Sequence, residues 1–121
     1  MPSYILLVDD NLDLSDNLKL ILEMEGYTVQ AAMSVQSAIE AIHHELPRLI
    51  IADIVMPGAS GYDFFKEVKE NPTWATIPFI FVSALTTAED VDRGLQLGAD
   101  DYVTKPFAIV DLLAAIRRQL S

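Results

Sequence analysis

The chain has 121 residues, of which 51% are apolar, and this length and composition fit one globular domain with one site and exclude a disordered segment. Cysteine is absent, which excludes disulfides and thiolate chemistry, and the net charge of −10 argues against direct binding of nucleic acid. No apolar run is long enough to cross a bilayer and no basic leader precedes the first apolar run, so we expect no membrane contact and a cytoplasmic location.

Five short runs rich in apolar residues predict β-strands. The first, third and fourth runs are continuously apolar, as in strands that are covered on both faces. The second alternates in part, which indicates a strand at or near the edge of a sheet. The predicted strands are residues 4–8, 27–31, 49–52, 77–82 and 101–103.

Apolar residues spaced three and four apart predict a helix after each strand. Asn11 opens the first helix and Gly26 closes it, while Ser34 is a good N-cap for the second, which stops at Pro47. The other three helices carry similar signals at their ends. These are Ser60-x-x-Asp63 and Asn71-Pro72 for the third, Thr86-x-x-Glu89 and Gly98 for the fourth, and Asp111 with Arg117 and Arg118 for the fifth, which uses Ile109, Leu113, Ile116 and Leu120.

This strict alternation of strand and helix with short connections predicts an α/β fold. Parallel strands joined by right-handed crossovers place helices on both faces of the sheet, which is a doubly wound arrangement. No internal repeat or linker interrupts the pattern. We therefore expect residues 1–121 to form one domain with five parallel strands and five helices.

Polar side chains stand where several of these strands end. Asp9 and Asp10 follow the first strand, Asp53 the third, Ser83 the fourth and Lys105 the fifth. Ligands of open parallel sheets bind outside the carboxyl ends of the strands. Each residue alone is more often a solvated turn residue or a helix cap, but five at one edge predict a site.

The three carboxylates predict a magnesium site. Two carboxylates 4 Å apart repel by about 4 kcal/mol at an effective dielectric near 20, so a cation is needed to offset them. Mg²⁺ takes one or two carboxylates, keeps waters and reaches for a phosphate oxygen. His43 and His44 lie together at the end of the second helix, where exposed residues are expected, so a histidine-based metal site is not indicated.

Lys105 and Ser83 add donors that a simple cation site does not need. An ammonium and a hydroxyl can hold the oxygens of a phosphoryl group. Asp53 is ionised at neutral pH and can attack phosphorus without a separate base, giving an acyl phosphate. No Gly-rich nucleotide loop is present. These residues predict phosphoryl transfer to Asp53.

Four segments of the chain form a characteristic series in order and spacing. They are Ile5-Leu6-Leu7-Val8-Asp9-Asp10-Asn11, Asp53-Ile54-Val55-Met56-Pro57-Gly58-Ala59-Ser60-Gly61, Phe81-Val82-Ser83-Ala84 and Gly98-Ala99-Asp100-Asp101-Tyr102-Val103-Thr104-Lys105-Pro106-Phe107. With these segments the sequence resembles the response-regulator receiver family of two-component signalling, and the likeness spans nearly the whole chain. The resemblance implies a flavodoxin-like sheet of strand order 2-1-3-4-5, as in chemotaxis receivers.

The resemblance also implies a role for each acidic residue. Asp53 would be the phosphoacceptor, and Asp10 and Asp53 would bind Mg²⁺ directly. Asp9 would act mainly through water, and Val55 would supply a backbone carbonyl. The domain would catalyse only its own phosphorylation and dephosphorylation and would otherwise not be an enzyme.

For the remaining positions the resemblance implies a switch. Ser83 and Lys105 would hold phosphoryl oxygens, and Tyr102 would move inward when the Ser83 hydroxyl is drawn toward the phosphate. The Lys105-Pro106 bond would be cis, Met56-Pro57-Gly58 would form a lid, and small Ala84 would leave the acyl phosphate accessible. For Tyr102 the simpler interpretation, a half-buried strand aromatic, is nearly as good.

The implied partners are a histidine kinase or histidine phosphotransfer protein as donor and an effector protein or domain as target. The effector would bind a face formed by the fourth helix, fifth strand and fifth helix, where a homodimer could also form.

Val55 and Leu85 are apolar at positions that tune dephosphorylation in the family, so we predict a long-lived acyl phosphate. Trp74 precedes the fourth strand, at the opposite end of the sheet from Asp9, Asp10 and Asp53, so its fluorescence should change little on Mg²⁺ binding or phosphorylation.

Three alternatives remain at this point. A receiver-like domain could act as an unphosphorylated interaction module, although all five site residues are intact. An aspartyl-phosphate phosphohydrolase also uses carboxylates, Mg²⁺ and a lysine, but it places Asp-x-Asp after its first strand and needs a cap domain. A flavin protein would need a phosphate loop rich in Ser, Thr and Gly where this chain has Asp9-Asp10-Asn11-Leu12-Asp13.

Overall fold

Five parallel strands form one sheet in the computed structural model, which describes residues 3–56, 59–83, 88–105 and 108–120. The strands are β1 (Ile5–Val8), β2 (Val29–Ala32), β3 (Leu49–Ala52), β4 (Phe79–Ser83) and β5 (Asp101–Thr104). They lie in the order β2-β1-β3-β4-β5, and every neighbouring pair is parallel. This confirms the predicted order 2-1-3-4-5 and places β2 at an edge.

A helix follows each strand, as predicted. The helices are α1 (Leu12–Met24), α2 (Val35–His44), α3 (Gly61–Glu70), α4 (Ala88–Gln96) and α5 (Ile109–Leu120). The side chains of Asn11, Ser34 and Ser60 accept hydrogen bonds from backbone N–H groups of the first turns of α1, α2 and α3, so these three predicted caps are confirmed. Thr86, the predicted start of α4, lies outside the described residues.

The fourth strand starts later than the sequence pattern predicts. Residue 77 was the expected start, but β4 begins at Phe79. The Ile77 N–H donates to the Trp74 carbonyl in the preceding turn, and Pro78 has no N–H to give to a ladder. A short antiparallel pair, Val55–Met56 with Ala59–Ser60, was not predicted and lies between β3 and α3.

Each face of the sheet is covered by its own apolar core. On one face, Leu6, Ile50 and Phe79 pack against residues of α2 and α3, and Trp74 joins this cluster. On the other face, Leu7 and Ile51 belong to a cluster completed by residues of α1 and α5. This confirms the doubly wound architecture. None of the described helices has the length and apolar character that crossing a membrane requires.

Candidate functional site

Three acidic residues meet at the carboxyl ends of β1 and β3. Asp9, Asp10 and Asp53 each offer a carboxylate oxygen, and these oxygens lie within 4.8 Å of one another. The Asp9 N–H donates to the Ala32 carbonyl at 3.1 Å and the Asp53 N–H donates to the Val8 carbonyl at 2.9 Å, so the sheet ladder holds both residues. Asp9 and Asp53 are buried, with 3% and 8% of their surface exposed, whereas Asp10 is exposed.

Lys105 reaches two of these carboxylates from the end of β5. Its Nζ lies 2.7 Å from Asp9 Oδ2 and 3.1 Å from Asp53 Oδ2. Its N–H donates to the Ser83 carbonyl at 2.7 Å, which ties the end of β5 to that of β4. Burial alone lowers the pKa of Lys105, but the hydrogen bond that its ammonium donates to Asp9 and the charges of Asp53 and Asp9 outweigh burial and raise this pKa above its usual value. The amine is therefore charged at neutral pH.

Backbone donors fix the orientation of both buried carboxylates. The Asn11 N–H donates to Asp9 Oδ1 at 2.9 Å, and the Val55 N–H donates to Asp53 Oδ1 at 3.3 Å. Each carboxylate thus gives one oxygen to the backbone and the other to Lys105. The carbonyl of Val55, predicted as a metal ligand, remains a prediction, while its side chain is exposed.

Gly61 is a residue of this site whose role the sequence analysis missed. Its N–H donates to the Ile54 carbonyl at 2.7 Å. A Cβ atom on Gly61 would overlap the carbonyl oxygen of Asp53. Because this clash is with backbone, moving a side chain would not relieve it. Glycine therefore allows the first turn of α3 to lie directly against the phosphoacceptor candidate. The only sequence signal was a glycine directly after an N-cap serine.

Ser83 and Tyr102, the two residues of the predicted switch, lie next to each other, while the movement of Tyr102 stays a prediction. Ser83 is fully buried at the end of β4, and the β4–β5 register pairs Phe81 with Tyr102. The rings of Phe81 and Tyr102 are 6.1 Å apart between centroids. Burial raises the pKa of the Tyr102 phenol above its usual value, and a hydrogen bond with Ser83 partly opposes this rise. The two side chains are thus in contact.

Several predicted features fall on residues that the structure does not describe. They are the Pro57-Gly58 part of the lid, Ala84, Leu85, and Pro106 with its preceding peptide bond. Their roles stay predictions. Every other predicted site residue is described, and Asp9, Asp10, Asp53 and Lys105 come together at one edge of the sheet.

The donor set suits a hard divalent cation. All three groups are carboxylates, whose oxygens are the ligands that Mg²⁺ prefers, and Asp10 forms no hydrogen bond or ion pair within the described part of the chain. His43 and His44 are exposed at the end of α2, as expected, and His43 stacks edge-on against Trp74 with ring centroids 4.9 Å apart. These residues fit the predicted Mg²⁺ and not a histidine-bound metal.

Comparison with known proteins gives one consistent result. A family model for the response regulator receiver domain matches residues 5–117. The signal receiver domain of a signal transduction histidine kinase from Syntrophus aciditrophicus is 36% identical, with a TM-score of 0.89 over 98% of this chain and 89% of that one. The non-phosphorylated HemR receiver domain from Leptospira biflexa is 30% identical, with a TM-score of 0.88 over 100% of this chain and 95% of that one.

A third solved structure, a chemotaxis response regulator of Vibrio cholerae, is 26% identical to this chain. Its TM-score is 0.89, and the alignment covers 98% of this chain and 99% of the other. The likeness therefore extends over nearly the full length of the sheet and all five helices, including the ends of β1, β3 and β5 that carry the acidic residues and the lysine.

Proposed function

This chain belongs to the family of response regulator receiver domains, and on that premise we propose that it accepts a phosphoryl group on Asp53 and thereby switches partner binding. The donor is a histidine kinase or a histidine phosphotransfer protein. The observation that carries the proposal is the contact of the Lys105 ammonium with the carboxylate of Asp53 at 3.1 Å, beside two further carboxylates.

The transfer step needs little from the protein beyond placement and charge. An oxygen of the Asp53 carboxylate forms a new bond to phosphorus while the bond from phosphorus to the donor's imidazole nitrogen breaks, and the electron pair leaves with that nitrogen. The Lys105 ammonium is already next to Asp53 and can donate a hydrogen bond to a phosphoryl oxygen as negative charge develops there. The Val55 N–H keeps the carboxylate in one orientation.

Asp9, Asp10 and Asp53 would hold Mg²⁺, with the Val55 carbonyl as a further ligand. When bound, this ion neutralises charge on the phosphoryl oxygens. Asp9 is held by the Asn11 N–H and by Lys105, which suits an indirect role through water. Asp10 is exposed, which suits a direct ligand that is open to solvent.

Ser83 and Tyr102 provide the route from chemistry to signalling. When the Ser83 hydroxyl turns toward a phosphoryl oxygen, its hydrogen bond with Tyr102 changes. Tyr102 lies on β5 and its ring touches α4, so the change reaches the face formed by α4, β5 and α5. The phosphorylated form then favours one arrangement of that face, and an effector that prefers this arrangement binds more tightly.

Incubation with acetyl phosphate and Mg²⁺, followed by intact mass measurement, tests the proposal. We expect one phosphate adduct on the wild-type chain and none on Asp53→Asn. Asp63→Asn is a matched control, because Asp63 is an exposed aspartate of α3, and it should be phosphorylated normally.

Other outcomes would redirect the assignment. Turnover of many donor equivalents per second would indicate a phosphohydrolase, and failure to form an adduct with any donor would indicate an unphosphorylated interaction domain. Millimolar Mg²⁺ should raise the Tm, because it relieves carboxylate repulsion only in the folded chain. An unchanged Tm would contradict the metal assignment.

A further inference from the structure

Gly94, in the last turn of α4, faces the ring of Tyr102. A Cβ at this position would lie 2.7 Å from Cδ2 and 2.9 Å from Cε2 of Tyr102, closer than carbon atoms approach in folded proteins. It would also lie 3.3 Å from Cδ2 of Phe81. Since Gly94 is buried, the tyrosine ring occupies the space that any other side chain would need.

A glycine at this place is costly unless something offsets it. Glycine inside a helix is less favourable than alanine because it loses more backbone freedom on folding. The φ angle of Gly94 is not positive, so the backbone itself does not require glycine here. The requirement comes from the close approach of the Tyr102 ring.

We propose that Gly94 is a positioning residue of the switch. Because Gly94 has no side chain, the Tyr102 ring can pack against α4, and this packing keeps the Tyr102 hydroxyl next to Ser83. The switching role of Tyr102 rests on the proposed function, but the steric relation between Gly94 and Tyr102 does not. Three contacts hold the ring in this position, namely Gly94 of α4, Phe81 of β4 and the hydroxyl of Ser83.

This arrangement couples α4 to the phosphorylation site in both directions. In the structure the edge of the Tyr102 ring packs against α4 at Gly94. If the ring moves away, the space beside Gly94 becomes empty. A partner that binds the face of α4 and favours one ring position therefore changes the hydrogen bond available to Ser83. If binding of the partner changes the equilibrium for phosphorylation by some factor, linkage requires that phosphorylation change the partner's affinity by that same factor.

The first test is the chemical reactivity of the tyrosines in Gly94→Ala. The added methyl group should push the Tyr102 ring outward and increase its nitration by tetranitromethane several-fold, as measured by peptide mass mapping. Tyr4 is an internal control, because it is buried at the other end of the sheet and its reactivity should not change. Unchanged nitration of Tyr102 would overturn the proposal.

The second test uses thermal stability in two backgrounds. Alanine normally stabilises a helix relative to glycine, so Gly94→Ala should raise the Tm when Tyr102→Ala has already removed the ring. In the wild-type background the same change should lower the Tm. A Gly94→Ala chain that folds only in the Tyr102→Ala background supports the proposal, whereas an equal Tm shift in both backgrounds refutes it.

The third test separates this proposal from the proposed function. Phosphorylation with acetyl phosphate should change Tyr102 nitration in the wild-type chain but not in Gly94→Ala, although both carry the adduct on Asp53. A wild-type chain without an adduct would refute the proposed function, and the first two tests would still decide the position of the ring. A Gly94→Ala chain that responds as the wild type does would refute only the role of Gly94.

Discussion

The two ends of the sheet use polar groups in opposite ways. At the amino end, the Tyr4 hydroxyl donates to the Glu45 carbonyl at 2.8 Å, and the Lys69 ammonium donates to the Ala75 carbonyl at 3.0 Å. The Asp100 carboxylate accepts from the Phe79 N–H at 2.8 Å. Each of these side chains bonds to a neutral backbone group.

At the carboxyl end, charges face charges. One ammonium, on Lys105, serves the buried carboxylates of Asp9 and Asp53, and Asp10 adds a third negative charge. This excess costs stability, because like charges repel and buried charges lose hydration. The amino end therefore closes the fold, while the carboxyl end keeps unbalanced charge available for a ligand. Substitutions at the two ends should therefore have different effects. Those at the amino end should mainly lower stability, and those at the carboxyl end should mainly change phosphorylation or the response to Mg²⁺.

The largest difference should appear between the two lysines. Lys105→Met should slow phosphorylation by acetyl phosphate by about 10²–10³-fold, since it removes a donor aimed at developing charge. Lys69→Met should keep the rate but lose about 1–2 kcal/mol of unfolding free energy with its hydrogen bonds. Time-resolved intact mass and urea unfolding measure the two effects. Equal rates in the two variants would contradict the comparison.

Two aspartates should have stability effects of opposite sign. Asp100→Ala leaves the Phe79 N–H without its acceptor and should cost about 1–3 kcal/mol. Asp10→Ala removes only repulsion and should raise the Tm in metal-free buffer by on the order of a few degrees. The Tm rise caused by Mg²⁺ should disappear in Asp10→Ala and persist in Asp100→Ala. Thermal unfolding with and without Mg²⁺ decides both points.

Two phenols, one buried on Tyr4 and one half-buried on Tyr102, allow a finer comparison. Burial raises the pKa of Tyr4 and of Tyr102, and Glu45 adds to the rise at Tyr4. Because both folded-state pKa values are raised, the stability from the neutral phenols is complete below the ordinary tyrosine pKa and is lost as the pH rises through the raised values.

The charge of Asp53 contributes to the rise of the Tyr102 pKa, after the larger effects of burial, Tyr62 and Asp90. Asp53→Asn should therefore lower the pKa of Tyr102 and leave that of Tyr4 unchanged. Ultraviolet titration of this variant, with Tyr4→Phe and Tyr102→Phe to assign the two phenols, measures the shift. A shift at Tyr4 would mean that the two ends are not electrostatically separate.

The smallest effect is expected at Trp74. It is 5% exposed and packs against His43 before β4 begins, at the amino end. Its fluorescence should change little when Mg²⁺ is added or Asp53 is phosphorylated. Strong quenching of Trp74 fluorescence by Mg²⁺ would show that binding at the acidic residues changes the surroundings of Trp74 at the amino end.

Local signals in the sequence predicted the elements well. Asn11 and Ser34 cap helices through neighbouring residues, and continuous apolar runs identify strands covered on both faces, so no distant contact was needed. The start of β4 was misplaced, because Ile77 has strand character but its N–H is engaged in the turn after α3. The order of the sheet followed from the family resemblance.

The site was predictable as a set of residues but not as a geometry. Strand ends placed Asp9 and Lys105 at one edge, yet their 2.7 Å contact joins positions 96 residues apart and depends on the packed sheet. Gly61 and Gly94 were missed for the same reason. What each glycine avoids is a neighbour from another element, and a single sequence does not show how closely that neighbour approaches.

Gly61 also gives the domain a mechanical direction. Because nothing larger than hydrogen fits between the start of α3 and the backbone of Asp53, that helix lies directly behind Asp53 and leaves its backbone no room to move in that direction. If Asp53 is phosphorylated as proposed, the resulting rearrangement should therefore proceed on the opposite side, toward β4 and β5, where Ser83 and Tyr102 lie.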